Sequence, residues 1–116
     1  MKHQSKQFLF GEEETVEDVG GGIKRQILGY EDSLMLARAS FDEGSVGYTH
    51  AHPHAQLAYV ESGAFEFTIG DETMTLKQGD CAYIPSGVEH GAVCREAGVL
   101  LDIFSPMRED FLTENK

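Results

Sequence analysis

The chain contains five histidines, and the spacing of three of them suits metal binding: His50, His52 and His90. Neutral imidazole is the commonest protein ligand for transition metals. Residues two apart on a strand face the same side of the sheet, so His50 and His52 can both point into the interior of a fold. Gln56 has the same parity and offers a carbonyl oxygen. His90 belongs to a separate segment, as a third ligand arriving from another strand would require.

The remaining two histidines are not predicted to bind metal. His54 directly follows Pro53 and is predicted to lie at the rim of the site or to hydrogen bond to a neighbour, and His3 falls in the N-terminal tail. Proline interrupts the backbone ladder between strands. Gln56 therefore faces the same side as His50 only if the turn at Pro53 preserves that face.

An acidic residue interrupts the apolar C-terminal part of the chain. Asp102 shares one face of a predicted strand with Leu100 and Phe104. A charge buried in such a strand costs several kcal/mol unless it is paired or lies in a polar cavity, so this face is predicted to line a pocket. Arg108 follows the strand, where it could form a structural ion pair with Asp102 or bind a substrate carboxylate through two hydrogen bonds. The sequence leaves both roles open.

Short apolar runs separated by turn residues at intervals of roughly 8–12 residues predict an all-β sandwich or barrel, which positions these side chains. The clearest element is a hairpin at Gly70-Asp71, because glycine supplies the positive φ that a two-residue turn requires. Phe65, Phe67 and Ile69 then share one strand face. The predicted strands are 23–28, 34–41, 56–61, 64–69, 72–76, 81–84, 89–93 and 99–104, and a short helical turn is predicted over 108–112.

Length and charge restrict the function further. The 116 residues are predicted to form one domain, 1–116, in which 1–20 are a tail or edge strand. Twenty acidic residues against nine basic ones give a net charge of −11, so neither nucleic acid nor an anionic membrane is expected as a partner. No apolar stretch approaches the ~20 residues of a membrane span. Cys81 and Cys94 are predicted to be reduced thiols, and the expected compartment is the cytoplasm.

The spacing of these residues over 44–94 resembles the two sequence motifs of the cupins. The first, G-x5-H-x-H-x3-(E/Q)-x6-G, is matched by Gly44, His50, His52, Gln56 and Gly63, and the second, G-x5-P-x-G-x2-H, by Gly79, Pro85, Gly87 and His90. The resemblance implies a small conical β-barrel, built as a double-stranded antiparallel jelly roll, with one divalent metal inside. It also implies a homodimer, and an edge strand such as 23–28 is expected to pair across the interface.

Two positions depart from the general motif: Gln56 stands where most cupins have Glu, and Cys94 where many have Asn. Neutral imidazoles and an amide oxygen leave the full +2 charge on a bound ion, whereas a glutamate would cancel one unit. The site is therefore predicted to attract an anion, even in an acidic protein. The ligands do not specify the metal, which is predicted to be Zn, Ni, Mn, Fe or Cu. Cys94 is predicted to be structural.

Over 22–112 the chain is similar to the pectin-degradation cupins of the KdgF type, in which Gln at the position of Gln56 is expected. This resemblance implies the roles of seven positions. The implied metal ligands are His50, His52, Gln56 and His90, the implied catalytic pair is Asp102 and Arg108, and the implied substrate-binding residues are Phe104 and Arg108. The implied reaction converts a small anionic sugar, a 4,5-unsaturated monouronate released by pectate or alginate lyases, to a linear keto-uronate.

Other functions remain open from the sequence. A metal-dependent dioxygenase would use the same ligands with open metal positions for O2. A sugar- or anion-binding sensor would use the pocket without chemistry. A structural cupin without metal is disfavoured by the three histidines.

Overall fold

A computed structural model of the chain describes residues 3–113 and shows an antiparallel all-β fold in that range. The prediction of an all-β fold with a short C-terminal helical turn is confirmed. The strands are β1 (Val16–Gly20), β2 (Ile23–Glu31), β3 (Leu34–Phe41), β4 (Val46–His50), β5 (Ala55–Ile69), β6 (Glu72–Lys77), β7 (Cys81–Ile84) and β8 (His90–Ser105), followed by helix α1 (Glu109–Thr113).

Two long strands, β5 and β8, pair along their whole length and connect all the parts of the sheet. Their register runs from Ala55 opposite Ser105 to Ile69 opposite His90 and shifts between Val60 and Ala64 and again at Phe65. Such irregularities bend a strand. The sequence predicted each long strand as two shorter ones, because the bend interrupts the alternating pattern.

The bend divides the sheet into two parts, which we call the first and second half-sheets. The first half-sheet comprises β1, β2, β3, the C-terminal part of β8, the N-terminal part of β5, and β7. The second comprises β4, the N-terminal part of β8, the C-terminal part of β5, and β6. Their inner faces pack together, with the rings of Phe41 and Phe65 in an edge-on contact at 5.1 Å.

Glycines allow the two long strands to bend against each other. A Cβ atom at Gly63, where φ is 81°, would lie 2.6 Å from the carbonyl oxygen of Glu96, and one at Gly98 would overlap the carbonyl oxygen of Ser62. Side chains larger than hydrogen would therefore force the backbones apart. Gly70, with φ 61°, forms the predicted turn between β5 and β6.

The edge of the first half-sheet differs from the prediction. The strand predicted over 23–28 is part of β2, which pairs with β1 on one side and β3 on the other. It is therefore not an edge strand, and the expectation that it pairs across a dimer interface is wrong. The region 1–20, predicted as a tail or edge strand, contributes β1 as the edge.

The apolar core lies between the half-sheets. Its main cluster includes Phe41, Val60, Phe65 and Leu100, and a second cluster around Met35 lies beside α1. Cys94 is buried in the main cluster, as its predicted structural role requires, and both Cys94 and Cys81 are free thiols. Within residues 3–113, no helix combines the length and apolar character needed to cross a membrane.

Candidate metal centre

Three histidines converge at one end of the interior, where β4 ends and β8 begins. His50 closes β4 opposite His90, the first residue of β8, and the two ring centroids lie 4.4 Å apart. His52 follows two residues after β4, and its ring lies 4.8 Å from that of His90. One ligand nitrogen from each lies within 4.8 Å of the others. The turn after β4, rather than strand parity, brings His52 to the other two.

Each of the three imidazoles is oriented by a backbone carbonyl two residues away. Nδ1 donates from His50 to Tyr48 at 2.7 Å, from His52 to His54 at 3.0 Å, and from His90 to Val88 at 2.9 Å. A carbonyl oxygen only accepts, so in the neutral rings Nδ1 carries the hydrogen and the lone pair is on Nε2. This tautomer is the one in which Nε2 can ligate a metal.

The Nε2 atoms have an environment that a cation would satisfy. Nε2 of His90 is buried and has no hydrogen-bond partner. Nε2 of His52 lies 3.1 Å from Oε1 of Gln56, and in this tautomer two acceptor lone pairs face each other. Burial is the main cause that lowers the pKa of His90, which favours the neutral form of its ring. The donor set therefore fits a metal ion, and the three histidines could hold one.

Gln56 connects the histidines to Asp102. Its Nε2 donates to Oδ1 of Asp102 at 2.9 Å, which leaves its Oε1 facing His52. Asp102 lies on the inner face of the first half-sheet, directly between Ala37 and Ala58. Burial raises the pKa of Asp102 to about 6, although the hydrogen bond from Gln56 and the charge of Arg108 both lower it. A carboxyl group in this range can both accept and return a proton.

Arg108 lines the same cavity, but it does not pair with Asp102, which was one of its two predicted roles. These two described side chains, Arg108 and Asp102, form no ion pair. Instead Arg108 donates two hydrogen bonds to Asp110, at 3.0 and 2.8 Å, which lower the pKa of that carboxyl group. Its Cζ also lies 4.3 Å from the ring centroid of Phe111. The structural Asp102–Arg108 salt bridge is therefore not formed.

A cavity of about 180 Å³ connects these groups. Phe104 forms part of its wall, with its ring 5.9 Å from that of His52 and 5.5 Å from that of Phe111. His54 lies beside this wall, 6.5 Å from Phe104, and burial lowers its pKa. The predicted site residues that line the cavity are His50, Gln56, His90, Asp102, Phe104 and Arg108.

Sequence analysis missed one charged residue of the cavity wall, Arg25. It lies on β2, where Ile23 and Ile27 pack against the core from the same inner face. A single charge on an apolar strand face is the signal that identified Asp102, and it could have identified Arg25 as well.

Residues 37–104 match the Cupin domain family. The chain is a cupin. This cupin is 41% identical over 109 residues to the pectin degradation protein KdgF of Dickeya dadantii (strain 3937), and the match covers 92% of this chain and 99% of that protein.

Two solved structures support the same assignment. KdgF from Halomonas sp. is 38% identical, with a TM-score of 0.88 over 92% of this cupin and 99% of that chain. An RmlC-like cupin from Shewanella frigidimarina NCIMB 400 is 48% identical, with a TM-score of 0.91 over 93% and 97%. The predicted resemblance to cupins of the KdgF type is confirmed.

Proposed function

We propose that this cupin is a metal-dependent enzyme that converts 4,5-unsaturated monouronates to linear keto-uronates by ring opening and tautomerisation. The observation that carries the proposal is Asp102, a buried carboxyl group that faces the cavity and is hydrogen bonded to Gln56 beside the three histidines. The similarity to a pectin degradation protein supports the substrate class, since pectin lyases release unsaturated uronates.

His50, His52, His90 and Gln56 would hold one divalent transition metal, of which Zn, Ni, Mn, Fe and Cu all accept such ligands. When bound, the metal supplies a positive charge that stabilises an oxyanion or enolate in the cavity. Because all four ligands are neutral, none of them cancels that charge. This supports an anionic sugar as substrate, although the chain as a whole carries −11.

The substrate is a cyclic hemiacetal with a C4=C5 double bond next to its carboxylate. Arg108 presents a guanidinium group, which suits a carboxylate because both are planar and can form two parallel hydrogen bonds. Its contacts with Asp110 and Phe111 fix the orientation of that group. Phe104 contributes an apolar surface against which the sugar ring can pack.

Asp102 moves the proton in the proposed reaction. It accepts the proton of the anomeric hydroxyl while the bond from C1 to the ring oxygen breaks, so C1 becomes an aldehyde and the ring oxygen remains on C5 as an enolate. Asp102 then gives the proton to C4, the double bond shifts, and C5 becomes a ketone. No atom is gained or lost. The amide of Gln56 holds the carboxyl group in place throughout.

The direct test is the loss of ultraviolet absorbance of the unsaturated uronate, with monomers from both pectin and alginate, before and after chelation. We expect acceleration over the spontaneous reaction that chelation abolishes and metal restores. His90→Ala should abolish it as well, whereas His3→Ala, which removes an exposed histidine far from the other three along the chain, should not. No acceleration by the fully metallated protein would refute the proposed reaction.

We also propose that the protein is a homodimer, formed through the outer face of the first half-sheet. Large apolar side chains align in register across that face. One row contains Leu36, Ile103, Leu57 and Tyr83, and the next contains Leu101 and Tyr59. Tyr83 is 63% exposed and Leu57 41%, and a contiguous apolar surface of this kind marks an interface. We call these six residues the outer apolar face.

Charge favours a second copy of the chain as the partner at this face. Arg38 and Glu61 lie beside it and pair with each other at 3.2 Å, so these two charges balance, and the six residues of the outer apolar face carry none. A two-fold interface brings the same patch of two copies together. A neutral apolar sheet face meets that condition, because it presents no like charges to itself.

The net charge and the two cysteines bear on the partners and the compartment of the protein. The net charge of −11 supports the absence of nucleic acid and anionic membrane from the partners, since both would be repelled. We place the activity in the cytoplasm, because the free thiols of Cys81 and Cys94 suit a reducing compartment.

A further inference from the structure

A second arginine lines the cavity that contains Asp102. Arg25 lies on β2 opposite Ala39 of β3, and Ala39 in turn lies opposite Leu100 of β8. Asp102 is two residues further along β8, on the same inner face. Only 12% of the Arg25 side chain is exposed. Since a guanidinium group stays charged at neutral pH, β2 contributes a largely buried cation to the wall of the cavity.

Two contacts fix the Arg25 side chain. Its Cζ lies 3.8 Å from the ring centroid of Phe111, and its Nη2 lies 3.6 Å from Oε1 of Glu17, its cross-strand neighbour on β1. A ring packs against the face of a guanidinium group, whereas the N–H donors lie in its plane. The contact with Phe111 therefore orients Arg25 without using the donors that bind a carboxylate.

Arg108 packs against the same phenyl ring, at 4.3 Å. Phe111 thus contacts two guanidinium groups, one from β2 and one from the segment before α1, and both arginines line the cavity. An anion bound in the cavity can accept hydrogen bonds from both.

We infer that Arg25 binds the carboxylate of the substrate together with Arg108. This inference rests on the proposed function. The carboxylate is attached to C5, so two arginines that hold it also fix the positions of C5 and C4 relative to Asp102. Arg25 is a substrate-binding residue in this arrangement, and Asp102 moves the proton.

The test compares steady-state kinetics of the metal-loaded wild type and variants on the unsaturated monouronate. Arg25→Gln should raise KM about 10- to 100-fold, the effect of losing one or two hydrogen bonds to a charged group, while kcat changes much less. Arg25→Lys keeps the charge but lacks the planar fork, so its KM should be intermediate. Arg38→Gln removes the same charge from the outer side of the sheet and should leave KM unchanged.

Glu17→Gln distinguishes substrate binding from a structural ion pair between β1 and β2. This variant removes the ion pair but keeps Arg25, so its KM should equal or fall below that of the wild type. The inference is overturned if Arg25→Gln leaves KM unchanged, or if Glu17→Gln raises KM as much as Arg25→Gln does.

A wild-type protein that does not accelerate the reaction would refute the proposed function before any variant is compared. Arg25 is then tested by calorimetric titration of the metal-loaded protein with galacturonate and with galactose. A preference for the acid that Arg25→Gln abolishes supports carboxylate binding by Arg25. A preference that persists in Arg25→Gln, or equal affinity of the wild type for both sugars, overturns it.

Discussion

At the level of Asp102, the two faces of the first half-sheet differ from the usual antiparallel sheet, in which large apolar side chains lie inside and polar ones outside. At the level of Asp102, the inner row contains Ala37, Asp102, Ala58 and Ala82. The outer row at the neighbouring level contains Leu36, Ile103, Leu57 and Tyr83. The inner side chains are small or charged, and the outer ones are bulky and apolar.

The difference follows from what each face has to contact. Small side chains on either side of Asp102 leave space for a ligand in the cavity, so this part of the interior contributes little to the apolar core. The core is instead concentrated nearer the bend, where Phe41 packs against Phe65. The outer face has no such cavity to preserve, and its apolar side chains are stabilised when a second surface covers them. One sheet would therefore provide the proposed reaction site on one side and the proposed dimer interface on the other.

The largest expected effect concerns the inner face. Asp102→Asn should lower kcat about 100- to 10,000-fold, the usual contribution of a general acid–base group. The fold and the metal content should be retained, because the Asn carbonyl oxygen can still accept the hydrogen bond from Gln56. Ultraviolet kinetics, circular dichroism and metal analysis measure the three quantities. Wild-type turnover by the variant would exclude Asp102 from proton transfer.

A charge introduced on the outer face should change the oligomeric state of the protein but not its catalytic rate. Leu57→Glu places two carboxylates in the interface of the proposed dimer, one from each copy. Like charges brought together there cost several kcal/mol, so the dissociation constant of the dimer should rise about 100-fold or more. Met74→Glu changes a more exposed apolar residue on β6, in the second half-sheet, and should leave the mass of the assembly unchanged. Sedimentation velocity distinguishes the two. A Leu57→Glu protein with the wild-type mass would refute this interface.

Asp102, on the inner face, should also lower the free energy of unfolding of the metal-free protein at neutral pH relative to acidic pH. Burial raises the pKa of Asp102 from 3.8 to about 6, so the folded state holds this proton more tightly than the unfolded state. The resulting stability is present below pH 3.8 and is lost as pH rises through about 6. Asp102→Asn has no carboxyl group to titrate and does not lose this stability. The difference in free energy of unfolding, variant minus wild type, should therefore rise by about 2–3 kcal/mol between pH 3.8 and a pH above 6, or about 30- to 100-fold in the folding equilibrium.

Urea unfolding of both chelated proteins at pH 4 and pH 8 measures that interval. Arg108 and the hydrogen bond from Gln56 are present at both values, so the difference between the proteins reports on Asp102. Equal differences at the two pH values would show that its pKa is not raised in the folded protein.

The smallest expected effect tests the neutral ligand set. Gln56→Glu should keep the metal but cancel one unit of its charge, raising the KM for the anionic substrate about tenfold. Its kcat should fall as well, because a carboxylate cannot donate the hydrogen bond that Gln56 gives to Asp102. Metal content, measured in the same samples, separates weaker anion binding from loss of the ion. A KM equal to or below that of the wild type would show that a neutral ligand is not needed for anion binding.

Local spacing predicted most of the candidate site, because the three histidines lie close to turns whose geometry the sequence specifies. His50 lies opposite His90 as the two motifs require, and the single acid in an apolar strand correctly indicated that this face lines a pocket. These inferences needed only periodicity and the cost of burying a charge.

Features that depend on pairing between distant segments were not predictable in the same way. Nothing in the sequence of β2 shows that β1 covers it, because an edge strand and an internal strand can share one pattern. The choice of Arg108 between Asp102 and Asp110 depends on distances set by the whole fold. The contact between Arg25 and Phe111 was not predictable in this way, because the ring lies on an element far along the chain.

The backbone acceptors of the three imidazoles have a consequence for how the protein tolerates sequence change. The carbonyls that fix the rings belong to Tyr48, His54 and Val88, and every amino acid carries the same carbonyl. Substitution at these positions leaves the tautomer of each ring intact as long as the path of the chain is kept. Tyr48, 79% exposed, therefore supplies its carbonyl whatever its side chain, and the candidate metal centre depends there on the path of the backbone near the end of β4.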